Sequence, residues 1–237
     1  IEQRMAFMGQ YTFTVEKKCP VCGETTRVVK VKSKLLAERT DEDFCVHYKD
    51  FNPYFYKIWF CEHCGFAADE KTFLGSIPLT HKRKIQEFLN SRKLGLKFVE
   101  ERQVPDAVAS FKLAIFYAEL TGQSLAKRAG LYLELGWIYR ASEEKEREDE
   151  MLERAISLYD RSLMTERYPI NGLSDNTVIY LIGALYYRLH DFEKSTQYLS
   201  RIIGDQRIRD EDIVLYKRAR DLWQRVREEK KEEAPQK

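Results

Sequence analysis

The chain has 237 residues, 43% hydrophobic and 33% charged, a balance that can fill a core and excludes wholesale disorder. Lysine and arginine number 40 against 38 aspartate and glutamate, so the global basic footprint of a nucleic-acid-binding protein is absent. No apolar run reaches the ~18–20 residues of a membrane span, no signal peptide is visible, and the length suits one large domain or two modest ones.

The first predicted strand is Tyr11–Val15, which alternates large residues. It leads into Cys19-Pro-Val-Cys22-Gly23, and a second knuckle follows at Cys61-Glu-His-Cys64-Gly65. Such a knuckle turns the chain so that two thiolates face one ion, and the glycine after the second cysteine supplies a positive φ. Two knuckles give four thiolates in a tetrahedron, so Cys19, Cys22, Cys61 and Cys64 are the expected ligands of a structural Zn2+. Two disulfides are the alternative, but they suit a small secreted framework; two redox motifs would need a βαβ context that the flanks lack. Arg27–Lys32, β-branched and basic, and Phe55–Phe60, ahead of the second knuckle, complete a zinc-ribbon arrangement. Cys45 and His47 remain over. A buried reduced thiol is the simplest reading, and a reactive thiol or second ligand site is the alternative.

From Leu79 onward the glycines thin out and amphipathic helical patterns follow one another. Three stretches carry a tetratricopeptide (TPR) signature, with a glycine and an aromatic on one helix and small, large and small residues on the next. The first is Leu94-Gly95 with Phe98, then Ala107, Phe111 and Ala114. The second is Leu135-Gly136 with Tyr139, then Ala155, Tyr159 and Ser162, provided about seven extra residues lie within Ser142–Glu150. The third is Ile182-Gly183 with Tyr186, then Ser195, Leu199 and Ile202. A generic helical bundle is the alternative. A final helix from Asp210 to Lys230 would cap the array, with Leu215, Ala219 and Leu222 on its packing face, before a charged tail. The expected fold class is therefore α+β, mostly α: a zinc-ribbon-like domain at 1–78, TPR-like helices with a capping helix at 79–230, and a tail at 231–237.

In such arrays the first helix of each pair lines a concave groove. Here the lining would include Arg92, Leu96, Leu133, Trp137, Arg140, Tyr180, Ala184 and Tyr187, with Arg188 adjacent. Aromatics and arginines suit a peptide with apolar and acidic side chains. Residues 82–103 carry seven basic against three acidic side chains. With Arg27, Lys30, Lys32 and Lys34 they offer phosphate a surface, which is the basis of a nucleic-acid alternative.

Cys19-Pro-Val-Cys22-Gly23, Asp43-Phe44-Cys45, Asn52-Pro53 with Tyr56, and Cys61-Glu-His-Cys64-Gly65-Phe66-Ala67 together resemble the bacterial domain-of-unknown-function 2225 family. The resemblance implies a bacterial, cytoplasmic protein with a zinc-ribbon-type head joined to TPR-like helices, and no particular activity. Tyr48, Asn52, Pro53 and Tyr56 are not needed for zinc; they are expected to brace the two knuckles, the alternative being a polar surface beside the metal. The functional expectation is a non-catalytic adaptor that binds a protein or peptide in the helical groove. A thiol or zinc enzyme built on Cys45 and His47 is a further alternative, although G-x-x-x-x-G-K-[ST], H-E-x-x-H, G-x-S-x-G and G-x-G-x-x-G are all absent.

Overall fold

The computed structural model describes residues 11–90 and 97–233. Three antiparallel hairpins come first. β1 (Thr12–Lys18) pairs with β2 (Thr25–Val31), β3 (Ala37–Thr40) with β4 (Val46–Tyr48), and β5 (Ile58–Phe60) with β6 (Ala67–Asp69). Each C-x-x-C pair sits at the tip of a hairpin, one between β1 and β2 and one between β5 and β6. The β3–β4 hairpin was not expected from the sequence, because β3 is exposed and without an apolar pattern and β4 is only three residues long. The expected strand Phe55–Phe60 is shorter than its apolar run. Asn52 caps a 3-10 turn at Pro53–Tyr56 by accepting from the Tyr54 N–H, and only Ile58–Phe60 is extended.

Nine helices follow among the described residues: α1 (Glu70–Leu74), α2 (Leu79–Asn90), α3 (Val104–Leu120), α4 (Leu125–Ala141), α5 (Lys145–Thr165), α6 (Asp175–Arg188), α7 (Phe192–Ile203), α8 (Gln206–Glu211) and α9 (Ile213–Glu233). Caps fix several starts. Ser124 accepts from Lys127 N–H, Ser174 from Thr177 N–H and Asp191 from Lys194 N–H. The N–H groups of Leu125 and Ala126 donate to the Glu166 carboxylate, so a distant side chain completes the α4 N-terminus. The expected final helix is split at Asp212 into α8 and α9, and α9 runs on to Glu233.

Two helical hairpins, α4–α5 and α6–α7, share one geometry. Each turns through three residues, with Glu143 and His190 in equivalent places at φ 59°. A Cβ on Gly136 would lie 3.0 Å from Leu152, and one on Gly183 would lie 2.9 Å from Leu199. Each leucine stands sixteen residues after its glycine. The pairs are thus in direct register, and the insertion expected within Ser142–Glu150 does not exist: α5 is simply longer than α7. Ala155, Tyr159 and Ser162 are buried as expected, but two turns further along the same helix face. Seven residues are close to two turns, so periodicity alone cannot tell an insertion from an extension. The small-residue position filled by Ser195 in α7 is filled by Glu148 in α5.

The first expected pair differs more. Leu94, Gly95 and Arg92 lie outside the described residues, and Phe98 is in a non-helical segment, under the guanidinium of Arg27 at 4.3 Å. Pro105 at the start of α3 begins a new helix there, and Ala107, Phe111 and Ala114 turn into the core beneath the head. Buried Arg102 fixes this junction. It donates to the carbonyls of Phe55 and Ile58 at 3.1 and 2.6 Å, and its own N–H donates to Tyr56 Oη. The core runs without a break from Val21 and Phe66 in the head to Phe111, Tyr117 and Leu135 in the helices.

Candidate metal centre and helical groove

The two knuckles have the same backbone. Gly23 N–H donates to Cys19 O and Gly65 N–H to Cys61 O, at 3.0 and 2.8 Å, with the glycines at φ 84° and 82°. This curls each thiol pair inward, and the two tips face one another. The sulfurs of Cys19 and Cys64 are 3.7 Å apart, as are those of Cys22 and Cys61, and all four lie within 4.8 Å of one another. A disulfide needs about 2.05 Å. A tetrahedral ion with metal–sulfur bonds of about 2.3 Å sets its sulfurs about 3.8 Å apart, so the residues present fit such an ion. The thiols also crowd one another: contacts with Cys19 and Cys64 hold the Cys61 thiol far below its ordinary range, and contacts with Cys19 and Cys61 raise Cys64. Tyr117 on α3 donates to Gly65 O at 3.2 Å, which ties the second knuckle to the helices.

The β3–β4 hairpin carries the other cluster. Its tip, Asp41-Glu-Asp-Phe-Cys45, is closed by bonds from Asp41 N–H to Cys45 O and from Phe44 N–H to Asp41 O, with Phe44 at φ 67°. The tip lies in the groove expected to hold a partner. Arg140 on α4 donates to Asp41 at 2.8 Å, to both oxygens of Asp43 at 3.1 and 2.6 Å, and to Glu148 on α5 at 2.7 Å. Trp137 Nε1 donates to Asp43 at 3.0 Å, and the Trp137 ring packs on Tyr54. Arg188 on α6 completes the chain with two bonds to Glu148. Further along, Tyr180 Oη donates to Glu42 O, its ring meets Phe44, Arg218 lies over Phe44 and Arg225 donates to the Glu42 carboxylate. Tyr187 donates to Glu229 at 2.6 Å.

Asp43, Glu148 and Arg140 are buried to 2%, 2% and 6% side-chain exposure, and the contacts balance their charges. Burial works against the Arg140 charge, but the carboxylates of Asp43 and Glu148 outweigh it and keep the guanidinium charged. Burial would likewise raise Asp41. The His47 hydrogen bond and the Arg140 charge outweigh this and hold it below the usual carboxylate range.

The structure therefore brings Trp137, Arg140, Tyr180 and Arg188 together around the chain's own hairpin, and directs Tyr187 to α9. Asp41, Asp43 and Glu148 were not foreseen. The cue was present in the D-E-D-F run and in a glutamate at a small-residue position, and it reads as solvated charge unless the partners are known. Of the residues expected to brace the knuckles, Tyr56 accepts from the Arg102 N–H ahead of α3, Asn52 and Pro53 start the 3-10 turn, and Tyr48 packs on Tyr54.

Cys45 and His47 do come together with Asp41, their donor atoms within 4.8 Å, beside a cleft of about 540 Å³. Asp41 is already engaged by His47 at 2.6 Å, by Arg39 and by Arg140, and those guanidiniums repel a cation. Burial pushes the Cys45 thiol up to about 12, which leaves it protonated at neutral pH. Of the basic strand residues, Arg27 is committed to Glu62 and Lys30 to Glu70. Among the described residues no helix is long and apolar enough to cross a membrane.

A family model described as an uncharacterized protein conserved in bacteria, DUF2225, matches residues 13–226. No curated protein and no solved structure matches. The match spans both knuckles, the hairpin tip and the helices up to α9, and the chain belongs to the DUF2225 family.

Proposed function

We propose that this chain is a non-catalytic, zinc-stabilised interaction protein of the cytoplasm, with a head at residues 1–78 and TPR-like helices from residue 79. Its helical groove recognises an acidic segment followed by an aromatic residue. The observation that carries this reading is the reception given to the hairpin tip. Asp43 meets a forked guanidinium and an indole N–H, and Phe44 is held between the Tyr180 ring and the Arg218 guanidinium. A partner segment of the same chemistry would enter by exchange with the tip. An all-thiolate tetrahedral set supports zinc as the resident ion. The five free cysteines accord with a reducing compartment. The nucleic-acid reading loses support because Arg27 and Lys30 are paired, and the thiol-enzyme reading because Cys45 is protonated.

The test is fluorescence anisotropy with a labelled peptide containing Asp-Glu-Asp-Phe, against wild type and a Phe44→Ala variant with unchanged metal content. A tethered tip competes at an effective concentration in the millimolar range, so the variant should bind the peptide at least about tenfold more tightly. A peptide with the phenylalanine replaced should bind neither. Absence of binding to the variant, or equal binding of the two peptides, defeats the proposal.

A further inference from the structure

Between Lys71 and Gln86 the chain carries Lys71, His81, Lys82, Arg83 and Lys84 and no carboxylate. Of the nearest acids, Asp69 is occupied by Lys127 and Glu70 by Lys30, and Glu87 is the one acid of α2 against Lys82, Arg83 and Lys84. Among the described residues none of these five pairs with a carboxylate. The same stretch exposes two large aliphatics, Leu74 at 53% and Leu79 at 63%. Their exposure is not a shortage of core, since Phe73 and Ile85 beside them are each 1% exposed and fill the interior. Helical spacing then sets each exposed leucine beside an exposed cation. Lys71 and Leu74 are three apart on α1, and Leu79 and Arg83 are four apart on α2, with Lys84 also exposed.

We propose that the outer faces of α1 and α2 dock on an anionic lipid bilayer. The unpaired cations meet headgroup phosphates, and Leu74 and Leu79 enter the boundary between headgroups and acyl chains. Nucleic acid would satisfy the cations equally well but offers nothing to two exposed leucines, whereas a bilayer surface takes both. The site does not depend on the groove or on the occupant of the groove. It makes the protein peripheral to a membrane.

The test is co-sedimentation of the full chain with vesicles of phosphatidylcholine containing about 30% phosphatidylglycerol, beside pure phosphatidylcholine vesicles, at about 0.1 M salt. Binding should be at least about tenfold stronger to the anionic vesicles. It should be lost in Lys71→Glu/Arg83→Glu/Lys84→Glu. Leu74→Ser/Leu79→Ser should weaken it about tenfold, with circular dichroism and metal content unchanged. No binding to the anionic vesicles overturns the proposal. So does unchanged vesicle binding by the leucine variant. RNA or duplex DNA held more tightly than the vesicles, and equally by wild type and the leucine variant, would reassign the patch to nucleic acid.

Discussion

Replacing Arg140 with leucine removes the group that joins the hairpin tip to α4 and α5. Arg140 reaches Asp41 at 2.8 Å, Asp43 at 2.6 Å and Glu148 at 2.7 Å. At an effective dielectric constant near 20, unit charges about 4 Å apart attract by about 4 kcal/mol, before the desolvation that leucine avoids. The three acids are not stranded equally. Glu148 keeps Arg188, and Asp41 keeps His47 and Arg39, but Asp43 keeps only the Trp137 and Cys45 N–H donors. The expected loss is thus that of one uncompensated buried charge, about 3–5 kcal/mol. For a chain of this size that lowers the melting temperature by roughly 6–20 °C. Urea unfolding followed by tryptophan fluorescence measures it, and Trp137 reports from the site itself. Adding Asp43→Asn to the leucine variant should restore at least about 1 kcal/mol, because it removes the stranded charge. A loss below about 1 kcal/mol for Arg140→Leu, or strict additivity of the pair, would refute the reasoning.

Gly183→Ala should cost about 1–3 kcal/mol in a thermal melt, because its Cβ would lie 2.9 Å from Leu199, whereas Gly130→Ala, which meets only Tyr159 Oη at 3.5 Å, should gain up to about 1 kcal/mol. Asp69 is half-buried, which alone would raise it, yet its bonds from Lys127 and Thr72 leave it below the usual carboxylate range. A depressed folded value means that its contribution is present above the unfolded carboxylate range near pH 4 and is lost as pH falls through the folded value. Asp69→Asn should therefore flatten the acid limb of stability against pH, read from urea midpoints between about pH 5 and pH 2. Purified protein should hold a single tetrathiolate ion that Cys61→Ser abolishes, by elemental analysis. Adding a chelator should open the four knuckle thiols to a thiol reagent at neutral pH, while Cys45 reacts only after denaturation.

The four-cysteine cluster was legible from spacing because the chemistry is local: C-x-x-C and the following glycine determine each knuckle, and two facing knuckles fit one ion. The helix pairs were legible where Gly136 and Gly183 had to admit Leu152 and Leu199. Register was not, since a helix extended by two turns repeats its own face. The β3–β4 hairpin was missed because what holds it is distant in sequence: Asp43 is fixed by residues on α4, and Glu42 and Phe44 by residues on α6 and α9. The groove residues were found as a set, and their apparent surplus of aromatic and basic character has an internal answer.

Arg225 grips Glu42 across 183 residues of chain. Helical arrays ordinarily touch only adjacent repeats and can begin folding anywhere along their length. Here the order of synthesis matters. The second knuckle is complete once Phe66 has left the ribosome, but the tip cannot be fully seated until Arg225 has emerged, about 160 residues later, or roughly 8–30 s at ~5–20 residues per second. Until Arg140 and Tyr180 emerge the head displays Phe44 and its flanking acids, and until Arg225 follows Glu42 lacks its guanidinium partner. A chain clipped or stalled before α9 leaves the Glu42 carboxylate and one face of Phe44 uncovered, so α9 is the last element to close over the tip.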